Sequence, residues 1–203
     1  SQEQSLRFSP LRALTPLIVL AAAAVPAAAQ AGGAATPPPY VAADAQLMTG
    51  MIGHHAQAVL ISGWAASHGA SQSIVLLTER IVVGQQDEIT LMTRWLLDRG
   101  EPVPDPKHSH AGMDHSTEMP GMLSAEQLAA LDAARGPEFD RLFLTYMIQH
   151  HLGAIVMVDQ LFATHGAGQD EATFRLASDI YADQTTEIRR MQLMLDALPP
   201  SGT

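Results

Sequence analysis

The sequence predicts an all-α fold, a four-helix bundle assembled from two duplicated two-helix units, and three observations carry this. The pattern Met51-Ile52-Gly53-His54-His55 returns as Met147-Ile148-Gln149-His150-His151, each copy running into an apolar stretch that closes on a further His, His68 or His165. A second matched element follows each copy: Ile81-x-x-x-Gln85-x-x-Glu88-Ile89-x-x-Met92 and Ile180-x-x-x-Gln184-x-x-Glu187-Ile188-x-x-Met191. Apolar residues in all four segments recur at steps of three and four, the period of an amphipathic helix. A unit that repeats its His, Gln, Glu and Met positions repeats chemistry as well as hydrophobicity.

The elements follow in order. Residues 1–29 read as a secretory signal: Arg7 and Arg12 precede the apolar run Leu14 to Val25, and Ala27-Ala28-Ala29 offers an Ala-x-Ala site with cleavage near Ala29. An uncleaved anchor is the other reading of that run. Residues 30–41, rich in Ala, Gly and Pro, form a flexible linker. The first repeat spans 42–100. Its first helix starts near Asp44, a cap residue, and ends at His68-Gly69, with a stripe of Ile52, His55, Val59, Ser62 and Ala66. Its second runs from about Ser71 to Arg99 with the seam Ile74, Leu77, Ile81, Gly84, Glu88, Leu91, Trp95, stopped by Gly100 and Pro102. Residues 101–123 break all periodicity. Segment 124–198 opens on the capping box Ser124-Ala125-Glu126-Gln127 of a short helix. It continues, as one bundle domain with 42–100, through a helix from Pro137 to His165 and another from about Asp170 to Leu198. The stripes there are Leu144, Ile148, His151, Ile155, Val158, Phe162 and Ile180, Gln184, Glu187, Met191, Met194, Leu198. Four long helices with two short turns and one long link make a four-helix bundle.

The charge balance excludes some functions. After the signal, nine basic residues face twenty acidic ones, a net of −11. Such a surface repels phosphate backbones, so no nucleic-acid partner is expected. The chain has no cysteine, which removes disulfides and thiolate sites and leaves His, Met and carboxylate as metal ligands. Nothing resembles a Ser-His-Asp, Cys-His or phosphate-loop arrangement.

Two sets of residues carry metal-competent chemistry. Within the bundle, Met51 stands three and four residues before His54 and His55, and Met147 likewise before His150 and His151, so each repeat offers two imidazoles and a thioether on one helix patch. Imidazole suits copper, zinc, nickel or iron, and a thioether tips the balance toward copper, Cu(I) above all. Glu88 and Glu187 lie on the apolar face, where they can ligate or accept the second ring N–H of a ligating His. Gln85 and Gln184 read as supporting or register contacts, and Met92, Met191 and Met194 as packing. His68 and His165 read as helix-end groups favoured by the carbonyl dipole, with ligation as the alternative. The second set is the tract His108-x-His110-x-x-Met113-x-His115-x-x-x-Met119-x-x-Met122, three imidazoles and three thioethers in fifteen residues. Such tracts capture copper without a preformed cavity. The bland alternatives are His–Glu pairs that fix helix register without any metal, and a polar linker.

The paired Met-Ile-x-His-His motifs, each followed by Gln-x-x-Glu-Ile-x-x-Met, resemble the secreted bacterial family called domain of unknown function 305. The resemblance covers roughly Ala43 to Leu198, including the stretch Met119 to Leu128. It implies a ferritin-like bundle of two two-helix repeats, and some relatives are associated with periplasmic copper binding and tolerance. The family has no settled biochemical activity. No di-iron centre is expected. Carboxylate-bridged iron bundles use Glu-x-x-His on two helices, whereas the residues three before His54, His55, His150 and His151 are Met51, Ile52, Met147 and Ile148. The expectation is therefore a periplasmic or secreted copper-binding protein, sequestering or delivering the ion rather than catalysing. A ferritin-like metal-dependent oxidoreductase and a metal-free structural bundle are the competing readings. The expected partners are metal ions, with a second copy of the chain or a periplasmic metal-acceptor protein as the protein partner.

Overall fold

Residues 40–104 and 119–199 are described by the computed structural model. The signal, the linker as far as residue 39, and His108, His110, Met113 and His115 lie outside the described residues. Within them the chain forms five helices: α1 (Ala42–Ser62), α2 (Gln72–Asp98), α3 (Ala125–Ala133), α4 (Pro137–Ala163) and α5 (Glu171–Asp196). None is long and apolar enough to cross a membrane.

Local chemistry sets the helix ends. Asp44 stands inside the first turn of α1, where one carboxylate oxygen accepts from Val41 N at 2.9 Å. The other accepts from Gly168 N at 2.7 Å, fastening the α4–α5 turn to the start of α1. α1 stops at Ser62, six residues short of His68, and Gly63–Gly69 form a turn that closes with Gly69 at φ +70°. The capping box at α3 is complete: Gln127 N donates to Ser124 Oγ, and Ser124 N donates to Gln127 Oε1. Pro137 opens α4, where its missing N–H costs nothing.

Tyr40 and Val41, assigned from sequence to the linker, are docked. Tyr40 packs edge-on against Trp95 with ring centroids 5.0 Å apart and donates to Glu101. Behind Trp95 lies a buried ion pair. Asp170 Oδ2 accepts from Trp95 Nε1, Arg99 Nη2, Thr173 N and Thr173 Oγ1, and the Arg99 guanidinium stacks over Trp95 at 4.1 Å.

α1 packs chiefly on α2 and α4 on α5; the two hairpins meet mainly through α1 and α4, while α2 and α5 touch little. Two apolar clusters fill the bundle. One joins Leu47, Met51 and Ile52 of α1 to Met92, Trp95 and Leu96 of α2, Met157 and Val158 of α4, and Leu176 and Ile180 of α5. The other joins Ala58 and Ile61 to Ile74, Leu77 and Ile81, to Phe139, Phe143 and Met147, and to Met191. Each cluster takes opposite halves of α1 and α2, of α4 and α5, and of α1 and α4, so these pairs run antiparallel.

The buried lines differ from the sequence stripes in places. On α2 the inward line is Ile81, Gln85, Met92, Trp95 and Leu96, while Gly84 and Leu91 are exposed. On α4, Phe162 faces solvent and Leu161 is buried. His68 does not cap α1. It is buried, its Nε2 3.0 Å from the Asp132 carbonyl and 3.1 Å from the Asp132 carboxylate, and it ties the α1–α2 turn to α3. His165 is exposed.

Candidate metal centre

Between the two apolar clusters lies a layer of imidazoles. His54, His55, His150 and His151 have no exposed surface, and neither have Met51 and Met147. A helix advances about 1.5 Å per residue, so each Met sits about 4.5 Å along the axis from the first His of its pair. Because α1 and α4 are antiparallel, the two thioethers flank the layer from opposite sides, Met51 in the first cluster and Met147 in the second.

Across the α1–α4 contact the rings of His54 and His150 meet at a 36° tilt, 3.8 Å between centroids. Each is 6.3 Å from its sequence neighbour, His55 or His151. The outer pair turn toward the second helix of their own hairpins. His55 Nε2 lies 2.7 Å from Glu88 Oε2, and His151 Nε2 lies 2.8 Å from Glu187 Oε2. Both carboxylates are mostly buried, with side chains 13% and 17% exposed. His54 Nε2 donates to the Pro120 carbonyl at 3.1 Å.

The other ring nitrogen is bare. All four Nδ1 atoms are buried without a hydrogen-bond partner, and His150 lacks one at Nε2 as well. A neutral imidazole that donates through Nε2 carries its lone pair on Nδ1. A carboxylate or carbonyl behind the donating nitrogen fixes that tautomer, the usual support of a metal-ligating His. The central rings are held neutral. Burial, reinforced by His55, lowers His54 to about 3, and burial with His54, His151 and His55 around it keeps His150 well below the ordinary range. A ligating His must be neutral.

Among the described residues no three His, Asp or Glu side chains form a ready cage for an ion. What each hairpin contributes to the layer is two buried imidazoles and one buried thioether. That set suits a soft monovalent ion better than zinc, which takes four ligands. Gln85 and Gln184, one turn before the two Glu residues, are buried with bare amide atoms, both of them on Gln85 and Oε1 on Gln184, so these side chains add polar capacity beside the layer.

One part of the site has no counterpart in the sequence stripes. Residues Met119 to Leu123 form a strap across the α1–α4 face. Gln57 holds it twice, donating to Leu123 O at 3.2 Å and accepting from Leu123 N at 2.8 Å. Gln149 accepts from Gln127 Nε2 at 3.0 Å. The backbones touch at Gly153, where an added Cβ would lie 2.0 Å from the Pro120 oxygen. Gly121 takes φ +77°, and its Cβ would lie 2.7 Å from the Gln149 carbonyl. Met119 is half-buried with its sulfur against Gly50, and Met122 is buried. A signal for this strap exists in the sequence: Gly53 and Gln57 of the first copy become Gln149 and Gly153 in the second, so Gly and Gln exchange places where it crosses.

The chain is similar to several proteins of known structure. A crystal structure of a DUF305 fragment from Deinococcus radiodurans is 27% identical with a TM-score of 0.68, covering 79% of this chain and 100% of that one. A Streptomyces coelicolor DUF305 protein, inferred to be secreted, is 25% identical with a TM-score of 0.64, covering 76% of this chain and 92% of that one. CopM, solved in Cu(I)-bound and Cu(II)-bound forms, is 26–27% identical with TM-scores of 0.58 and 0.61, covering 75% of this chain and 95% of its own. It has also been solved with Ag bound. No curated protein matches the chain. The family model described as domain of unknown function (DUF305) matches residues 44–195. The chain belongs to the DUF305 family.

Proposed function

We propose that this chain is an exported copper-binding protein that holds Cu(I) in the histidine layer of its bundle, for sequestration or delivery. The carrying observation is the set of four buried Nδ1 atoms without partners, on rings three of which are anchored through Nε2. A buried polar atom left unpaired costs about 1–3 kcal/mol. An ion bound there removes that cost. In this reading each side of the layer takes one soft ion, Met51 with His54 and His55, and Met147 with His150 and His151. Glu88 and Glu187 orient the outer rings. Similarity to CopM, solved with Cu(I), Cu(II) and Ag, supports the choice of metal. The signal-like N-terminus supports export. The segment with His108, His110, Met113, His115, Met119 and Met122 serves as a capture tract for copper in either oxidation state.

A metal-free structural bundle accounts for the two His–Glu bonds but leaves the four Nδ1 atoms unexplained. The deciding experiment is anaerobic Cu(I) titration against a competing chelator, on wild type and on a variant with all four His changed to Gln. Loss of two tight equivalents in the variant supports the reading. An undiminished tight stoichiometry assigns the binding elsewhere and rejects it.

A further inference from the structure

The geometry points to the Met119–Leu123 strap as the gate through which a soft metal ion reaches the histidine layer, with Met119 as the thioether at its outer end. This inference rests on the core-binding reading above and adds the route.

The layer is closed. Every Nδ1 atom that would ligate has essentially no solvent-accessible surface, so part of the wall must move before an ion arrives. The helices are poor candidates, since α1, α2, α4 and α5 are clamped by an apolar cluster on each side of the layer. Toward the sparsely contacted gap between α2 and α5, each outer ring is covered by its own carboxylate, His55 by Glu88 and His151 by Glu187. The strap is different in kind. It contains no helix, and its backbone is held to α1 and α4 by side chains alone: Gln57, His54 and, at 3.5 Å, Gln149, with the bare surface of Gly153 beneath it.

Its position also fits the role. Pro120 sits on His54, one of the two central rings, so lifting it opens the middle of the layer rather than an edge. The Met119 sulfur and the Met157 terminal methyl rest against the same residue, Gly50, which is one position before Met51. A soft ion on Met119 is thus one side chain from the thioethers of the first cluster.

Two substitutions release the strap by independent means. Gly153→Ala is favourable to the helix yet places a methyl where the Pro120 oxygen lies. Gln57→Leu nearly conserves volume and deletes both bonds to Leu123. Losing two hydrogen bonds raises the open population on the order of tenfold or more. The test uses the full chain. Cu(I) is delivered from a coloured chelator in a stopped-flow instrument, histidine-ring nitrogen NMR assigns the core phase, and hydrogen exchange of the Leu123 amide reports strap release. The gate requires both variants to load the core faster, Gln57→Leu roughly tenfold, with the same final occupancy, and Met119→Leu to load it more slowly. Freer Leu123 exchange with loading at the wild-type rate overturns the gate while leaving core binding intact. So does slower loading in Asp183→Asn, which removes a carboxylate near Glu88 and Glu187, without any change in the strap variants; that result puts the route between α2 and α5. A wild-type core that never loads overturns the core reading, and the gate with it.

Discussion

Replacing Glu88 tests how the outer imidazoles are held. In the structure His55 is fully buried, and its Nε2 meets a Glu88 carboxylate 2.7 Å away that keeps 13% of its side chain exposed. Glu88→Ala leaves a buried N–H without an acceptor, a loss of about 1–3 kcal/mol. Removing one partner of a fully buried ion pair costs about 3–5 kcal/mol, and the partial wetting of Glu88 places this case below that range. We take about 2 kcal/mol, which lowers the melting temperature of a chain this size by about 4–8 °C. Glu88→Gln retains an oxygen acceptor and should cost about 1 kcal/mol or less. Freed from its carboxylate, the ring also loses its fixed tautomer, and losses of such partners lower metal affinity by about 10–100-fold. Denaturant unfolding of metal-free protein and Ag(I) competition on the same samples measure both effects. Wild-type stability and affinity in Glu88→Ala would refute the assignment of Glu88 as the anchor of His55.

Acid should destabilise the metal-free fold through its central rings. His54 is lowered to about 3 from 6.5 and His150 is also held low. The unfolded chain therefore binds protons first. Stability is full above about pH 6.5 and falls toward pH 3 by about 1.4 kcal/mol per pH unit for His54, with His150 adding a loss in the same direction. Unfolding midpoints at pH 7, 5.5 and 4.5 check this, and a flat profile contradicts it. Changing Met51 and Met147 to Leu nearly conserves volume, so each should cost less than about 1.5 kcal/mol. Cu(I) affinity should nonetheless fall while zinc binding is spared, and unchanged Cu(I) affinity would make the thioethers packing alone. Asp170→Ala should be among the most damaging changes, about 3–5 kcal/mol by thermal unfolding, because it strands the buried Arg99. It should leave metal stoichiometry unaltered. Burial alone would raise the Asp170 carboxyl, but the bonds from Trp95 and Thr173 and the Arg99 charge together hold it below the ordinary value.

The imidazole layer was legible because the same residues recur in two segments and fall on apolar helix faces. Glu88 and Glu187 stood out as carboxylates on such faces, and the structure gives each a His partner. Smaller features escaped for physical reasons. On α2, Gln85 and Met92 lie one position from Gly84 and Leu91, and a 3.6-residue period cannot choose between adjacent lines when the buried one includes a polar residue. The end of α1 at Ser62 was hidden because the turn that follows, with Trp64, Ala65 and His68, is also apolar and partly buried. The strap was invisible to periodicity: its contacts run through the Pro120 and Leu123 backbone and two bare glycines. Only the Gly/Gln exchange between Gly53, Gln57 and Gln149, Gly153 marks where it crosses.

We propose the four buried Nδ1 atoms as the metal ligands. Histidine-ring nitrogen NMR of the full chain during stoichiometric Ag(I) addition reads each atom separately. The Nδ1 signals of His54, His55, His150 and His151 should shift and saturate at two equivalents. The Nε2 signals of His55 and His151 should remain those of protonated, donating nitrogens. If only His108, His110 and His115 respond and the four core rings stay unchanged, the bundle is not the site and the claim is contradicted.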